Sequence, residues 1–492
     1  MTLEQILSAR PSPGQPRSYD FPPFERTVLP SGLQVLAVDV PGRPLISANL
    51  VIRRGGGDEP ADFAGATVQA ARAMTEGTER YPGVELLEAS ERLGATLHVE
   101  ASWDAFFASV DVAATRLPAA LELLSELVQR PTFPEADVAR LRDERLNDLL
   151  QVKADPRRRV DQVFVSTIYS GDSPYARPLG GDEETVPRLT PEVLRAVHRA
   201  VLDPGQAAFI VGGDLSGLGV PQIVAAAFGA LAQDSSAASG AGALPPRVDS
   251  AVDRPIVRFY HRPGSVQTEL RIGHVGLSRR APDFHAVQIM AAILGGLFNS
   301  RLQMNLREEK GYTYGIGAGF DMRRGAGPFS VRTAVQTAAT VPAISEILSE
   351  LDRIRESEVT PTELAAARDY LVGVFPLRFE TPGAVVAALG GLFIHSLPDD
   401  ELARYRHEIE AVTIADVQKA AQDHIAPGRL AIVAVGDADV VGTELQAAGF
   451  GDFEVITEEM SAGEAPAGEA PAGEAPAGEA PAGLDGGEEE AE

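Results

Sequence analysis

Along the chain, the spacing of apolar residues switches repeatedly between alternation and a three-and-four repeat. "VLPSGLQVLAVDV" sets two alternating runs on either side of Ser31-Gly32, which predicts a β-hairpin. "LISANLVIRRGGG" predicts a strand, and "ATLHVEASWDAFFASVDV" alternates like two more. Between them, "AGATVQAARAM" predicts a helix. "PGVELLEASERLG" predicts another, opened by Pro82 and closed by Gly94. "RLPAALELLSELVQ" and "EADVARLRDERLNDLLQVKAD" have the spacing of amphipathic helices. Strands and helices interleaved in this way, from Thr27 to Ala232, predict an α+β domain.

The pattern then repeats. "LTPEVLRAVHRAVLDPGQAAFIVGGDL" (189–215) and "VTIADVQKAAQDHIAPGRLAIVAVGDA" (412–438) both run helix, Pro-Gly turn, apolar strand, Gly-Asp, at an offset of 223. Asp62-Phe63, ahead of an Ala-rich helix, recurs as Asp283-Phe284 at an offset of 221. Two such close offsets, from segments far apart in each half, indicate one duplicated unit of about 220 residues. The expected organisation is an extended arm at 1–26, a first domain at 27–232, a linker at 233–253, a second domain at 254–456 and a disordered acidic tail at 457–492. The linker assignment rests on the Ser-, Gly-, Ala- and Pro-rich stretch at 233–250. The tail assignment rests on four "AGEAP" pentads, which have no apolar face to bury. The expected fold is two duplicated mixed α/β-sheet domains arranged as a clamshell-like pair.

Composition narrows the chemistry. Of 492 residues, 44% are hydrophobic, enough for sizeable cores. The formal charge is −27, and the 11 acidic residues from Glu458 onward still leave −16 on the body. Such a surface repels phosphate backbones, so nucleic acid is not an expected partner. With no cysteine, disulfides, thiolate nucleophiles and Cys-ligated zinc are excluded. Neither a signal peptide nor an apolar run of membrane-spanning length is read, and a cytoplasmic protein with no membrane contact is expected.

One stretch, "NSRLQMNLREEKGYTYGIGAGF" (299–320), sets a charged turn against alternating Tyr and Gly. Together with the duplicated unit and the central linker it resembles the pitrilysin/insulinase (inverzincin) metallopeptidases, in their shorter two-domain branch with the mitochondrial processing peptidase and bacterial relatives. The resemblance covers about residues 27–455. It implies a zinc site on the first-half helix, where H-x-x-E-H places two His on one face and a general base between them. A carboxylate from a later helix completes such a site.

Here the matching positions run from Val68 to Arg72. Val68 and Arg72 stand where the two His belong, Ala71 stands where the Glu belongs, and the later carboxylate falls on Asp148. Val68 cannot ligate, Ala71 cannot act as a base, and Arg72 keeps its charge and repels a cation. Arg72 is expected to pair with Asp148. The eight His (98, 198, 261, 274, 285, 395, 407 and 424) offer no pair within four residues, so no metal is expected on this chain.

The resemblance also implies that Arg307 and Tyr314, seven residues apart, contact substrate backbone. A guanidinium fork and a phenol can both donate to a carbonyl oxygen. Arg307 is expected to end a helix, Gly311 to supply the turn, and Tyr314 to lie on a strand opened by Gly315, Gly317 and Gly319. An intact pair beside an erased metal motif implies the non-zinc, substrate-binding subunit of a heterodimeric peptidase. Its zinc would reside in an H-x-x-E-H partner, and its substrate would be a peptide or unfolded protein. The alternatives are a structural scaffold with no proteolytic role and a module that captures extended peptides on a strand edge.

Overall fold

The computed structural model describes residues 17–42, 44–229, 231, 245–246 and 248–458. Most of the expected arm, linker and tail therefore lies outside the described residues. Among the described residues, twelve strands form two six-stranded sheets. The first holds β1 (Phe24–Val28), β2 (Gln34–Asp39), β3 (Leu45–Ile52), β4 (Thr96–Ala101), β5 (Phe106–Ala113) and β6 (Ala207–Gly213). The second holds β7 (Ile256–His261), β8 (Gln267–Val275), β9 (Ile316–Phe320), β10 (Pro328–Gln336), β11 (Ala431–Gly436) and β12 (Asp452–Thr457).

The sheet orders are β1-β2-β6-β3-β5-β4 and β12-β7-β11-β8-β10-β9. Five positions correspond one to one, which is the duplication read from the sequence. The sixth differs: β1 is antiparallel to β2, whereas β12 is parallel to β7. The β1–β2 hairpin turns at Gly32, whose φ of +89° favours a residue without Cβ. Because β1 begins at Phe24, the last three residues of the expected arm belong to the sheet. Just before it, Tyr19 and Phe21 pack on Phe379 of the second half.

Alternation decides what each strand buries. In β6 every residue is buried. Ala207, Phe209 and Val211 face a core shared with the first half's own helices. Ala208 and Ile210 face the other way, into a core built mainly by the second half. A strand covered on both faces must be continuously apolar, as "AAFIVGG" is.

The second covering layer is exchanged between halves. Among the helices, α1 is Ala66–Met74, α2 is Glu135–Ala154, α3 is Pro156–Ile168 and α4 is Pro382–His395. α4, a second-half helix, lies against β3 and β6 of the first sheet. α3, a first-half helix, lies against β11 and β8 of the second, packing Val160, Val163 and Phe164 against Ala431, Val433 and Val435. The approach of α4 is close: a Cβ at Gly212 would come within 2.7 Å of Val386 Cγ2. The sequence repeats and the packing units therefore do not coincide.

A buried polar knot joins the halves. The Arg324 backbone N–H donates to Asp104 Oδ2 at 2.7 Å, and the Tyr175 hydroxyl donates to Asp104 Oδ1 at 3.0 Å. Gly325 N–H donates to the Tyr175 oxygen at 3.3 Å. Burial raises the Asp104 carboxyl above its usual range, against these bonds and the nearby Arg324 charge.

Candidate functional site

The helix that carries the degenerate motif is firmly placed. Glu59 holds its start, accepting from Gly65 N–H at 2.6 Å, Thr67 N–H at 2.9 Å and the Thr67 hydroxyl at 2.8 Å. Gly65, at φ +90°, passes so close to Gly180 that a Cβ would lie 2.4 Å from its carbonyl oxygen. Burial raises the Glu59 carboxyl despite these donors. The frame for a site on α1 is present without the groups that would use it. Val68 is half-buried, Ala71 is buried and Arg72 is exposed.

Arg72 does not pair with Asp148. Its guanidinium meets Glu144 at 3.0 Å, and Glu144 also accepts from Arg140 at 2.7 Å. Glu144 and Asp148 are one turn apart on the same face of α2, so the earlier carboxylate takes the role expected of the later one. Asp148 is held between Arg145 and Arg158, the latter at 2.6 Å. Burial pushes its carboxyl up, but the two guanidiniums outweigh this and hold it below the usual range. A cation placed here would face Arg72, Arg145 and Arg158 with no imidazole on α1. These residues do not fit zinc.

One other group has metal-like spacing among the described residues: His261, Asp437 and Asp439. It is a helix cap. His261 Nδ1 accepts Ala438 N–H at 3.1 Å, and Asp437 accepts Gly264 N–H at 2.7 Å and Asp439 N–H at 3.0 Å. Elsewhere, His198 bonds the Val128 carbonyl and His274 the Val275 carbonyl, both as structural residues.

The second half presents the opposite picture. Arg307 lies in the last turn of a wide π-helical segment, Gln303–Glu309. That segment is anchored from behind. Arg301 forks onto Glu363 at 2.6 and 3.1 Å, and Asn305 donates to Glu346 and Glu350. Partial burial pushes the Glu363 carboxyl up, but Arg301 and the Thr360 N–H and hydroxyl pull it down to about 2. The Arg307 side chain is 37% exposed, with its guanidinium 4.8 Å from the Phe298 ring centre and Nε 3.5 Å from Glu308.

Gly311 makes the turn at φ +65°, as expected. Tyr314, however, is not on the strand. It sits in a bend before β9, because the Gly315 carbonyl is taken by the hydroxyls of Thr313 and Thr333 at 2.9 and 3.0 Å. The ladder starts at Ile316, and Tyr314 is left 86% exposed. β9 is an edge strand, and a Cβ at Gly315 would meet nothing within 4 Å.

Val68, Ala71 and Arg72 thus gather on α1, with Asp148 on the neighbouring α2, while Arg307 and Tyr314 gather beside β9. No hydrogen bond, ion pair or ring contact among the described residues joins the two groups. Sequence reasoning missed Glu144, whose only signal was its four-residue spacing from Asp148. It also missed a cluster of arginines from four separate segments, whose only local sign was "PRRRV" at 156–160.

A mixed α+β pair of duplicated sheets agrees with the comparisons to known proteins. Residues 34–183 match the insulinase family (peptidase family M16), and residues 188–371 match the peptidase M16 inactive domain. The chain belongs to the insulinase family of peptidases. It is 26% identical over 407 residues to an uncharacterized zinc protease of Streptomyces coelicolor, covering 81% of this chain and 86% of that protein. It is 21% identical over 389 residues to the non-peptidase homolog YmxG of Helicobacter pylori, covering 77% and 86%. A crystal structure of a peptidase M16 inactive domain from Pseudomonas fluorescens superposes with a TM-score of 0.77 at 25% identity, over 84% of this chain and 98% of that one. Within the family, this chain is a peptidase-like member whose α1 lacks the metal-binding side chains.

Among the described residues no single helix is long and apolar enough to cross a membrane. One pair, Pro361–Phe379 with Pro382–His395, passes on composition but is bent by 113°. Most of α4 is buried, against the first sheet.

Proposed function

We propose that this chain is the substrate-binding, non-zinc subunit of a heteromeric metallopeptidase. The partner is an H-x-x-E-H homologue that brings the zinc, and the substrate is a peptide or an unfolded protein. The observation that carries this reading is the exposure of Tyr314 and Arg307 beside a glycine-opened edge strand, while α1 bears no metal ligand. Among the described residues the Tyr314 hydroxyl has no hydrogen-bond partner, and Arg307 has only the Phe298 ring at 4.8 Å and Glu308 at 3.5 Å. Their role is to orient the substrate backbone by donating to a carbonyl oxygen, and a partner's site supplies the bond-breaking chemistry.

The test is an affinity capture from the native cell followed by reconstitution. A similar-sized H-x-x-E-H protein should co-purify, and it should cleave an unfolded substrate faster with this chain than without it. Equal rates with and without this chain would defeat the proposal and leave a structural or peptide-binding scaffold as the better reading.

A further inference from the structure

Four arginines from separate segments line one cleft of about 350 Å³. Arg145 comes from α2, Arg158 from the first turn of α3, Arg177 from the loop that follows, and Arg323 from the β9–β10 connection. The floor is aromatic: the Arg323 guanidinium lies 5.2 Å from the Trp103 ring centre and 4.7 Å from that of Tyr175.

The lining of this cleft is rich in cations, and most of the carboxylates that answer them lie outside it. Asp161, the acid in its wall, is engaged by Arg271 at 2.6 Å. Asp321 neutralises Arg323. Asp148 is shared by Arg145 and Arg158, so one carboxylate serves two guanidiniums. Arg177 hydrogen-bonds backbone carbonyls, Glu59 at 3.1 Å and Gly56 at 3.5 Å, and the Glu59 and Asp182 carboxylates act on it without a direct hydrogen bond. The lining itself thus carries four guanidiniums and one carboxylate, in a chain whose formal charge is −27. In addition, Arg177 Nε and Arg323 Nη1 are buried without a hydrogen-bond partner. Buried donors left unpaired are costly, and an anion supplies what they lack.

A source of carboxylates starts beside the cleft. Arg159, the residue after Arg158, grips Glu458, with Nε 3.1 Å from Oε2. Glu458 is the last described residue. Beyond it, residues 459–492 carry ten acidic side chains and no basic one, including Glu464, Glu469, Glu474 and Glu479 of the four pentads. Glu464 is six residues past Glu458, a reach of up to ~20 Å.

We propose that the cleft is a carboxylate-binding site whose resident occupant is the chain's own segment 459–492, led in by the Arg159–Glu458 pair. Arginine forks take carboxylates two-pronged, and a tether of this length holds its ligand at millimolar effective concentration. The repeats offer equivalent carboxylates five residues apart, so loss of one leaves others to replace it. An acidic peptide from elsewhere must displace the segment to enter, which makes it a built-in competitor. None of this depends on a zinc-bearing partner.

The test uses the full chain and a full-length variant in which all ten acidic residues from Glu459 onward are replaced by their amides. The probe is a fluorescein-labelled peptide of residues 462–481, measured by anisotropy at low salt. The amide variant should bind it at least tenfold more tightly than the unmodified chain, whose cleft is already filled. Adding Arg158→Gln to the amide variant should weaken binding at least fivefold without changing thermal unfolding, since that side chain is 43% exposed. A Gln-for-Glu peptide should not bind. Equal binding to both chains, no binding to the amide variant, or equal binding of the Gln peptide would overturn the proposal. So would benzoate binding equally to both chains, which would make the cleft a site for a free organic acid.

Discussion

At the outer edge of the first sheet, β4 reads Thr-Leu-His-Val-Glu-Ala, and its neighbour α1 is Ala-rich and inert. At the same position in the second sheet, β9 reads Ile-Gly-Ala-Gly-Phe, and the segment before it leaves Tyr314 exposed and Arg307 partly so. The two edge strands hold equivalent places in one repeated unit, but at the repeat offset α1 corresponds to residues 287–295 and not to the segment that carries Arg307, so the two donors belong to a part of the second half that α1 does not mirror. What α1 has is a firm frame, in the Glu59 cap and the close approach at Gly65. The frame persists because it is also core: seven of the nine residues of α1 are buried. Val68 and Arg72 are the two positions of α1 outside that core, so side chains there can change without disturbing the packing.

The sharpest way to break this comparison is at the second edge. Arg307→Ala or Tyr314→Phe should lower turnover of the reconstituted complex by roughly 100-fold, the usual cost of one oxyanion-type donor, and not merely raise KM. Glu309→Ala, on the same turn, should change little. Similar losses in all three would reduce the pair to an ordinary helix end.

The next test concerns the lock between the halves. Asp104→Ala strands the Arg324 N–H and the Tyr175 hydroxyl, so urea unfolding should show a loss of about 2–3 kcal/mol. An unchanged midpoint would mean that water replaces the carboxylate and that the knot is not a lock.

A smaller effect is expected at His395, the last residue of α4. Burial holds its imidazole down at about 3, well below its unfolded value. The unfolded chain then binds the proton first, so stability is fully present above about pH 6.5 and falls as pH drops toward 3. In His395→Gln the loss between pH 7 and pH 5 should shrink by about 1–2 kcal/mol. A pH profile identical to that of the unmodified chain would count against a buried neutral imidazole.

Smallest of all is the expected metal content. After chelation and zinc reloading, the purified chain should hold well under one zinc per molecule, and stoichiometric zinc would contradict the account of α1.

Much of this was legible in the sequence because it is periodic. The hairpin at Ser31-Gly32, the helix closed by Gly94 and the paired Gly-Asp strand ends all follow from local spacing. The matched sheets follow from the repeat offset. What the sequence did not disclose depends on which surfaces meet. An apolar stripe on α4 says that the helix is buried, but not that it lies on the other half's sheet. Glu144 and Asp148 share a helical face, so spacing alone could not choose between them for Arg72. Tyr314 alternates like a strand residue, and only the Thr313 and Thr333 hydroxyls on the Gly315 carbonyl move it off the ladder. The arginine cleft draws on positions 145, 158, 177 and 323, which no window of sequence brings together.

The exchange of α3 and α4 also sets an order of events during synthesis. Ala208 and Ile210 wait for a covering helix that does not begin until Pro382. At ordinary elongation rates that interval lasts roughly ten to thirty seconds. Throughout it the nascent first half shows one uncovered apolar sheet face to water or to a chaperone. Its contacts of highest sequence separation form last, which makes the chain a slow folder by topology. A ribosome stalled between the two repeats would thus display an aggregation-prone surface that the finished protein never exposes.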